Sequence, residues 1–401
     1  MRRLALIAVF VTVLLAVLAG GHLYLAGQLV WDPLLPAPLR TMALAALLGG
    51  ASLLVLQPLG ERFLPRRVGR FIAWPASLWM GFAFFLLIGS LLTDGLGVLM
   101  GAVMPSGVEA GAGVARLQAL LILGLALTAV WRGSAELRRG PQVTRLTVRI
   151  ANWPAALDGF RIVQISDIHI GPILDRRFAA ALTAQVNALE PDLIAVTGDL
   201  VDGNVRHVGD EVEPFAGLRA AHGVYFVTGN HDHYSGVDPW VDRVTALGMR
   251  PLRNQRVAIG DGDATFDLAG VEDHHAHLVS GAYRSDLEAA LAGRDPARPV
   301  VLLAHDPLTF KEAARRGVDL QLSGHTHGGQ IWPFRYVVRL STPFVAGHYR
   351  RGDAQLYVSR GSGFWGPPLR LFAPAEIVEV TISGPVPGDV AQRGSAAAGR
   401  T

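Results

Sequence analysis

Five short clusters after residue 165 carry side chains that can hold metal ions: Ser166-Asp167-Ile168-His169, Thr197-Gly198-Asp199, Thr228-Gly229-Asn230-His231-Asp232, Ala304-His305-Asp306 and Ser323-Gly324-His325-Thr326-His327-Gly328-Gly329-Gln330. Asp, His and Asn are hard or borderline oxygen and nitrogen donors, suited to divalent Mn, Fe, Zn or Co. The chain has no cysteine. That excludes disulfides, a thiolate nucleophile and Cys-bound zinc or iron–sulfur clusters. Seven candidate ligands are too many for one ion that keeps an open position. They suit two ions sharing a carboxylate, about 3.5–4 Å apart in such sites. Singly, each cluster has an ordinary explanation: Asp-x-His is a weak pattern, Gly-Asp often caps a helix, and a lone His305 is commonly a satisfied polar residue. The five together point to a metal centre.

Each cluster closes a short apolar run. Arg161–Ile165, Leu193–Thr197, Val224–Thr228, Val300–Ala304 and Leu320–Leu322 are expected to be buried strands, and Leu146, Val148 and Ile150 alternate with polar residues as a half-buried strand does. Arg176–Leu189, Pro239–Leu247, Arg284–Leu291 and Leu308–Arg315 have helical patterns between them. This alternation implies a layered α/β domain with at least partly parallel strands. Ligands bind at the carboxyl ends of such strands, so the clusters converge if their strands share one sheet. His325 and His327 would face opposite sides of a regular strand, but a loop after Leu322 lets both turn inward. The glycines beside Asp199, Asn230 and His325 suit tight turns or close backbone approach.

The ordered set Asp167-x-His169, Gly198-Asp199, Gly229-Asn230-His231-Asp232, His305 and Gly324-His325-Thr326-His327 resembles the calcineurin-like metallophosphoesterase superfamily, over about residues 143–383. No signature residue is missing. Gly328-Gly329-Gln330 and the stretches Leu356–Gly361 and Gly366–Leu371 resemble its membrane-associated bacterial branch, in whose neighbourhood some members hydrolyse lipid-linked pyrophosphates or phosphodiesters. The resemblance implies a four-layer α/β/β/α sandwich with metals at its strand ends. It implies that Asp167, His169 and His327 hold one divalent ion (Mn, Fe or Zn), that Asn230, His305 and His325 hold the other, and that Asp199 bridges both. His231 matches the non-ligand catalytic histidine, with Asp232 expected to orient it. In the implied reaction, two ions bind phosphate oxygens and acidify a bridging water, and hydroxide attacks a phosphodiester, phosphomonoester or pyrophosphate in line with the leaving group. His231 then stabilises the transition-state charge or protonates the departing oxygen. A serine nucleophile is disfavoured, because Ser166 and Ser323 lack a dedicated base.

The first third of the chain has a different composition. Only twelve of the 69 charged residues, and one of the 13 histidines, lie within residues 1–131 of the 401. Leu4–Gly27, Thr41–Gly60, Phe71–Thr93 and Leu117–Trp131 are uncharged and apolar. About 20 such residues cross a bilayer, so residues 1–131 are expected to form an anchor of four transmembrane helices, the fourth extended if Arg116 snorkels. Residues 132–142 are expected to be an arginine-rich linker, 143–384 the catalytic domain, and 385–401 a disordered tail. Arg2, Arg3, Arg62, Arg66, Arg67, Arg70, Arg132, Arg138 and Arg139 flank alternate spans. The positive-inside rule then predicts a multi-pass protein of the inner (cytoplasmic) membrane with its catalytic domain in the cytoplasm.

Several residues keep two explanations. His233 lines the pocket or faces solvent. His274, His275 and His277 form a third metal site or a rim loop. Arg360 and Arg370 contact substrate phosphate or make ordinary pairs, and Phe364 and Trp365 form an apolar lip or pack in the core. Among functions, an inactive regulatory or binding protein of the same fold is countered by the complete ligand blocks. A transporter would need polar functional residues inside the spans. A nuclease is opposed by the lack of a basic strip interleaved with aromatics, so nucleic acid is an unlikely partner and a lipid-linked phosphoester remains a candidate substrate.

Overall fold

The computed structural model describes residues 2–64, 66–103, 111–262, 264–279 and 281–385. The residues expected to form a disordered tail, from 386 onward, lie outside this set. The chain divides into two units, Met1–Ala135 with Gly366–Leu369, and Glu136–Trp365 with Arg370–Thr401.

The first unit is helical: α1 (Arg2–Ala26), α2 (Ala37–Phe63), α3 (Arg66–Val103) and α4 (Ala112–Arg138). Four helical segments among the described residues are long and apolar enough to cross a membrane. The fourth is longer than its fifteen-residue apolar stretch suggested. At 1.5 Å per residue its 27 residues reach about 40 Å. It continues through Ala135-Glu136-Leu137-Arg138, part of the segment expected as linker, because these are strong helix formers. The Arg116 guanidinium donates to the Pro33 carbonyl at 2.8 Å. Helix α3 runs past Asp94, whose carboxylate accepts from Tyr24 at 2.6 Å and Gln28 at 3.0 Å on the segment that includes α1. These bonds satisfy polar groups between helices, as membrane packing requires.

The second unit is built on two six-stranded sheets. Its strands are β1 (Gln142–Arg149), β2 (Phe160–Ile165), β3 (Leu193–Thr197), β4 (Val224–Val227), β5 (Met249–Pro251), β6 (Gln255–Asp261), β7 (Ala264–Gly270), β8 (Val300–Leu303), β9 (Leu320–Ser323), β10 (Gly347–Arg351), β11 (Ala354–Val358) and β12 (Glu376–Ser383). One sheet has the order β1-β12-β2-β3-β4-β5 and the other β10-β11-β9-β8-β7-β6. β1 pairs in parallel with β12, Gln142 opposite Glu376, and β12 runs antiparallel to β2. The five cluster-bearing strands are thus parallel within two stacked sheets, not one: β2, β3 and β4 in the first, β8 and β9 in the second.

The strands are apolar on both faces because both faces are covered. Ile162, Tyr225, Phe266, Leu303 and Val380 meet between the sheets. Helices Arg176–Asn187 and Val237–Ala246 bring Leu182, Val186, Trp240 and Val244 to the outer face of the first sheet. Leu287, Ala290 and Ala313 cover Ala269 and Leu302 on the second. The result is the four-layer α/β/β/α sandwich. Two expected helices are shorter: Arg284–Leu291 is helical only over Leu287–Leu291, after its cap Asp286, and Leu308–Arg315 is broken into α and 3-10 turns.

Phe266 lies between Trp153 at 4.8 Å and Phe160 at 5.3 Å, ring centre to ring centre. Phe266→Ala removes the central ring, so the β-rich unit should lose about 3–5 kcal/mol. A melt of the full chain in detergent should show a lowered transition for the β-rich unit; an unchanged transition would remove this cluster from the folding core.

Candidate metal centre

Asp167 and His169 leave the end of β2, Asp199 follows β3, Asn230 and His231 follow β4, His305 follows β8, and His325 and His327 follow β9. Ligand atoms of Asp167, His169 and His327 lie within 4.8 Å of one another, as do those of Asp199, His305 and His325. His169 Nε2 and His327 Nε2 face each other at 3.1 Å. His325 Nδ1 is 3.0 Å from Asn230 Oδ1 and 3.3 Å from His305 Nε2. Asp199 Oδ2 lies between the two groups, 3.1 Å from His305 Nε2 and 3.8 Å from His169 Nε2. All seven expected ligands come together.

The donors fit divalent cations. Asp167 Oδ2 is buried without a hydrogen-bond partner, and ring nitrogens of His169 and His327, and of His305 and His325, face one another at 3.1 and 3.3 Å, as a cation between them would allow. The backbone is held in an unusual state to achieve this. Asp167, His169, Asp199, His325 and His327 all have φ between 50° and 74°, a left-handed conformation that costs non-glycine residues of the order of 1–3 kcal/mol each. Two glycines make the approach possible: a Cβ on Gly229 would overlap the Asp199 carboxylate, and one on Gly324 would overlap Ser166 and Asp167.

Charge is finely balanced here. Burial opposes ionisation of Asp199, yet the His305 charge and hydrogen bond hold its carboxyl well below the ordinary range. Burial pushes His325 and His327 down, aided by positive neighbours, which favours the neutral imidazoles that metals bind. His231 behaves differently. Burial pushes it down, but the hydrogen bond to Asp202 and the charges of Asp199, Asp202 and Asp232 lift it to about 9.

Asp202 was not legible as a site residue. Its Oδ1 lies 2.7 Å from His231 Nδ1 and its Oδ2 3.1 Å from His169 Nδ1, so one carboxylate orients both rings. The available signal was its place three residues beyond Asp199 on one loop. The role expected of Asp232 is corrected accordingly. Its carboxylate faces inward and accepts the backbone N–H groups of Asp199, Leu200, Val201 and Gly229 at 2.8–3.3 Å. With four peptide donors it braces two loops and is not His231's partner.

The arginines are also corrected. Arg370 is fully buried and donates to the carbonyls of His327, Arg360, Gly363 and Ala373, and Arg360 pairs with buried Glu376. Both guanidinium groups are engaged within the fold. His233 neither lines the pocket nor meets solvent: it is buried, with Nε2 3.0 Å from Glu272. His275 stacks on His325 at 5.6 Å with Nδ1 3.7 Å from Asp306, and ligand atoms of these three residues lie within 4.8 Å of one another, a group that includes neither His274 nor His277. His277 Nδ1 instead meets the His274 carbonyl. Phe364 is buried, while Trp365 is half exposed with its ring 5.4 Å from His231. Gln330 pins Trp365 through two bonds, its Nε2 donating to the Trp365 carbonyl and its Oε1 accepting the Trp365 N–H.

Residues 160–329 match the calcineurin-like phosphoesterase family. A bovine (Bos taurus) protein named as a transmembrane protein with metallophosphoesterase domain is 39% identical over 60% of this chain and 57% of its own length. A metallophosphoesterase of Helicobacter pylori strain J99 is 36% identical over 62% of this chain and 65% of its own. A zebrafish (Danio rerio) protein with the same name as the bovine one is 33% identical over 75% of this chain and 70% of its own. The chain spans 57% and 65% of the length of the first two relatives. It belongs to the calcineurin-like metallophosphoesterases.

In the metal-free protein His231 should be protonated at pH 7 and lose its proton as pH rises through about 9. Asp202→Asn removes the hydrogen bond to a charged partner but leaves the burial, so the His231 midpoint should fall by about one unit or more. Histidine NMR titration of the metal-free full chain checks this; an unmoved midpoint would show that Asp202 does not hold the proton.

Proposed function

We propose that the chain is a membrane-anchored phosphoesterase that uses two divalent ions to hydrolyse a phosphoester or pyrophosphate carried by a lipid. The observation that carries this reading is the convergence of Asp167, His169, Asp199, Asn230, His305, His325 and His327 from two sheets, with His231 beside them. Asp167, His169 and His327 would hold one ion, Asn230, His305 and His325 the other, and Asp199 both. Bound divalent ions supply charge for the phosphate oxygens and a water acidified enough to attack at neutral pH. The chain's own residues do the rest. Asp202 occupies His231 Nδ1, which leaves the Nε2 proton for the departing oxygen. Trp365 and Tyr234 stand edge-on to His231 and limit water around it. The membrane-crossing helices favour a substrate that resides in the bilayer, and the half-exposed Trp365 offers its leaving group an apolar wall.

Turnover by the purified full chain should require a first-row divalent ion and stop with chelator. It should be greater on lipid phosphoesters than on soluble ones. Hydrolysis by protein shown metal-free by elemental analysis would sink the mechanism. Asp199→Ala should deplete both ions more than Asp167→Ala or Asn230→Ala, because it serves two sites. His231→Ala should keep its metal and lose about 10²–10⁴-fold in turnover, as for a lost acid–base group.

We further place the catalytic unit in the cytoplasm at the inner membrane. Four spans return the chain to its starting side, and the arginines flanking alternate spans favour that side as the inner one. A reporter that works only when exported, fused after Arg139, should stay silent; a signal from it would reverse the topology.

A further inference from the structure

The β-rich unit exposes ten large apolar side chains among its described residues: five fall between Trp332 and Leu340 (Trp332, Phe334, Tyr336, Val337 and Leu340), and Trp365 and Phe372 follow on a later loop. Scattered apolar residues are normal on a soluble surface, but a cluster marks a contact. Helix Arg335–Ser341 presents Tyr336, Val337 and Leu340 along one face, with Leu340 87% exposed. Trp332 meets Phe372 edge-on at 6.5 Å, and Ile331 is bridged to Leu371, so the helix and the later loop form one surface. That surface joins the metal centre directly, because Gln330, three residues beyond His327, pins Trp365 beside His231.

The segment that carries this surface is basic in sequence. Between Leu320 and Ala375 the chain holds six arginines and a single acidic residue, Asp353. Arg360 and Arg370 are engaged internally; Arg339 is exposed next to Leu340 on the helix itself, whereas Arg350 and Arg351 lie at the far end of the sheet, opposite Gln355 and Ala354 at the amino end of β11. Exposed Trp, Tyr, Phe and Leu bordered by arginine is the composition of a segment that lies at a headgroup boundary, its rings among the acyl chains and its cations among phosphates. The chain also brings a bilayer with it through its apolar helices.

We infer that the Trp332–Leu340 segment, with Trp365 and Phe372, docks on an anionic phospholipid surface and presents the mouth of the metal centre to lipid headgroups. This contact requires no turnover and stands whether or not the hydrolysed substrate is a lipid.

The absence of cysteine makes the test direct. The full chain carrying Leu340→Cys, labelled with a polarity-sensitive fluorophore, is reconstituted into vesicles of phosphatidylcholine and phosphatidylglycerol. A second protein carries the label at exposed Ala221→Cys, at the amino end of β4. The 340 label should emit to the blue, be quenched by nitroxide-bearing lipid and be spared by aqueous iodide. The 221 label should show the reverse. Replacing phosphatidylglycerol with phosphatidylcholine, or raising the salt, should weaken the protection at 340. Iodide quenching at 340 equal to that at 221, with no quenching by lipid, would overturn the inference. So would protection that persists in detergent and grows with protein concentration, because a second copy of the chain would then be the occupant.

Discussion

The metal centre depends on pairing buried polar groups across two sheets that share no hydrogen-bonded edge. Gln164 Nε2 reaches from β2 across to the Ser323 carbonyl on β9 at 2.9 Å, while also donating to Thr197 of its own sheet at 2.8 Å. His305, after β8, lies 2.8 Å from the Thr197 carbonyl, and the His325 N–H donates to Asp167 at 2.8 Å. An unsatisfied buried polar group costs about 1–3 kcal/mol, so each crossing bond fixes one relative position of the sheets. The apolar layer between the sheets supplies cohesion without direction. These few polar bonds supply register, and the ligand positions follow from it.

Within that frame the ligand-bearing loops brace one another. Asp232 collects four peptide N–H groups, and Asp199 accepts the His231 N–H at 2.8 Å while facing both ligand groups. Arg370 does the same from the other side with its cage of carbonyls around His327. Asp232 and Arg370, which are not among the candidate ligands, thus hold the backbone of Asp199 and His327, both in the left-handed conformation.

The sequence was most informative where residue type and local spacing decide the outcome. The strand-end clusters, the buried strands and the apolar helices are all of this kind. It was least informative where a side chain's direction depends on distant chain. Asp232 adjoins His231 in sequence, yet it turns to the β3 loop, while Asp202, 29 residues away, reaches the ring. Arg360 and Arg370 carry charges that suit a phosphate. Glu376 and the surrounding carbonyls claim them only because β12 inserts beside β2. The hairpin strands β6 and β10 lack the continuous apolar run of the central strands, since they lie at sheet edges with one side open.

The position of β12 also bears on how this protein comes into being. The strand that follows the membrane helices, β1, has its partner 234 residues later, and that partner lies between β1 and β2. A ribosome adding about 5–20 residues each second needs of the order of ten to fifty seconds to supply it. Until then both β1 and β2 present an open edge. Such edges invite pairing with other chains. The wait for one late strand therefore makes the interval of synthesis a period in which these edges are open to such pairing.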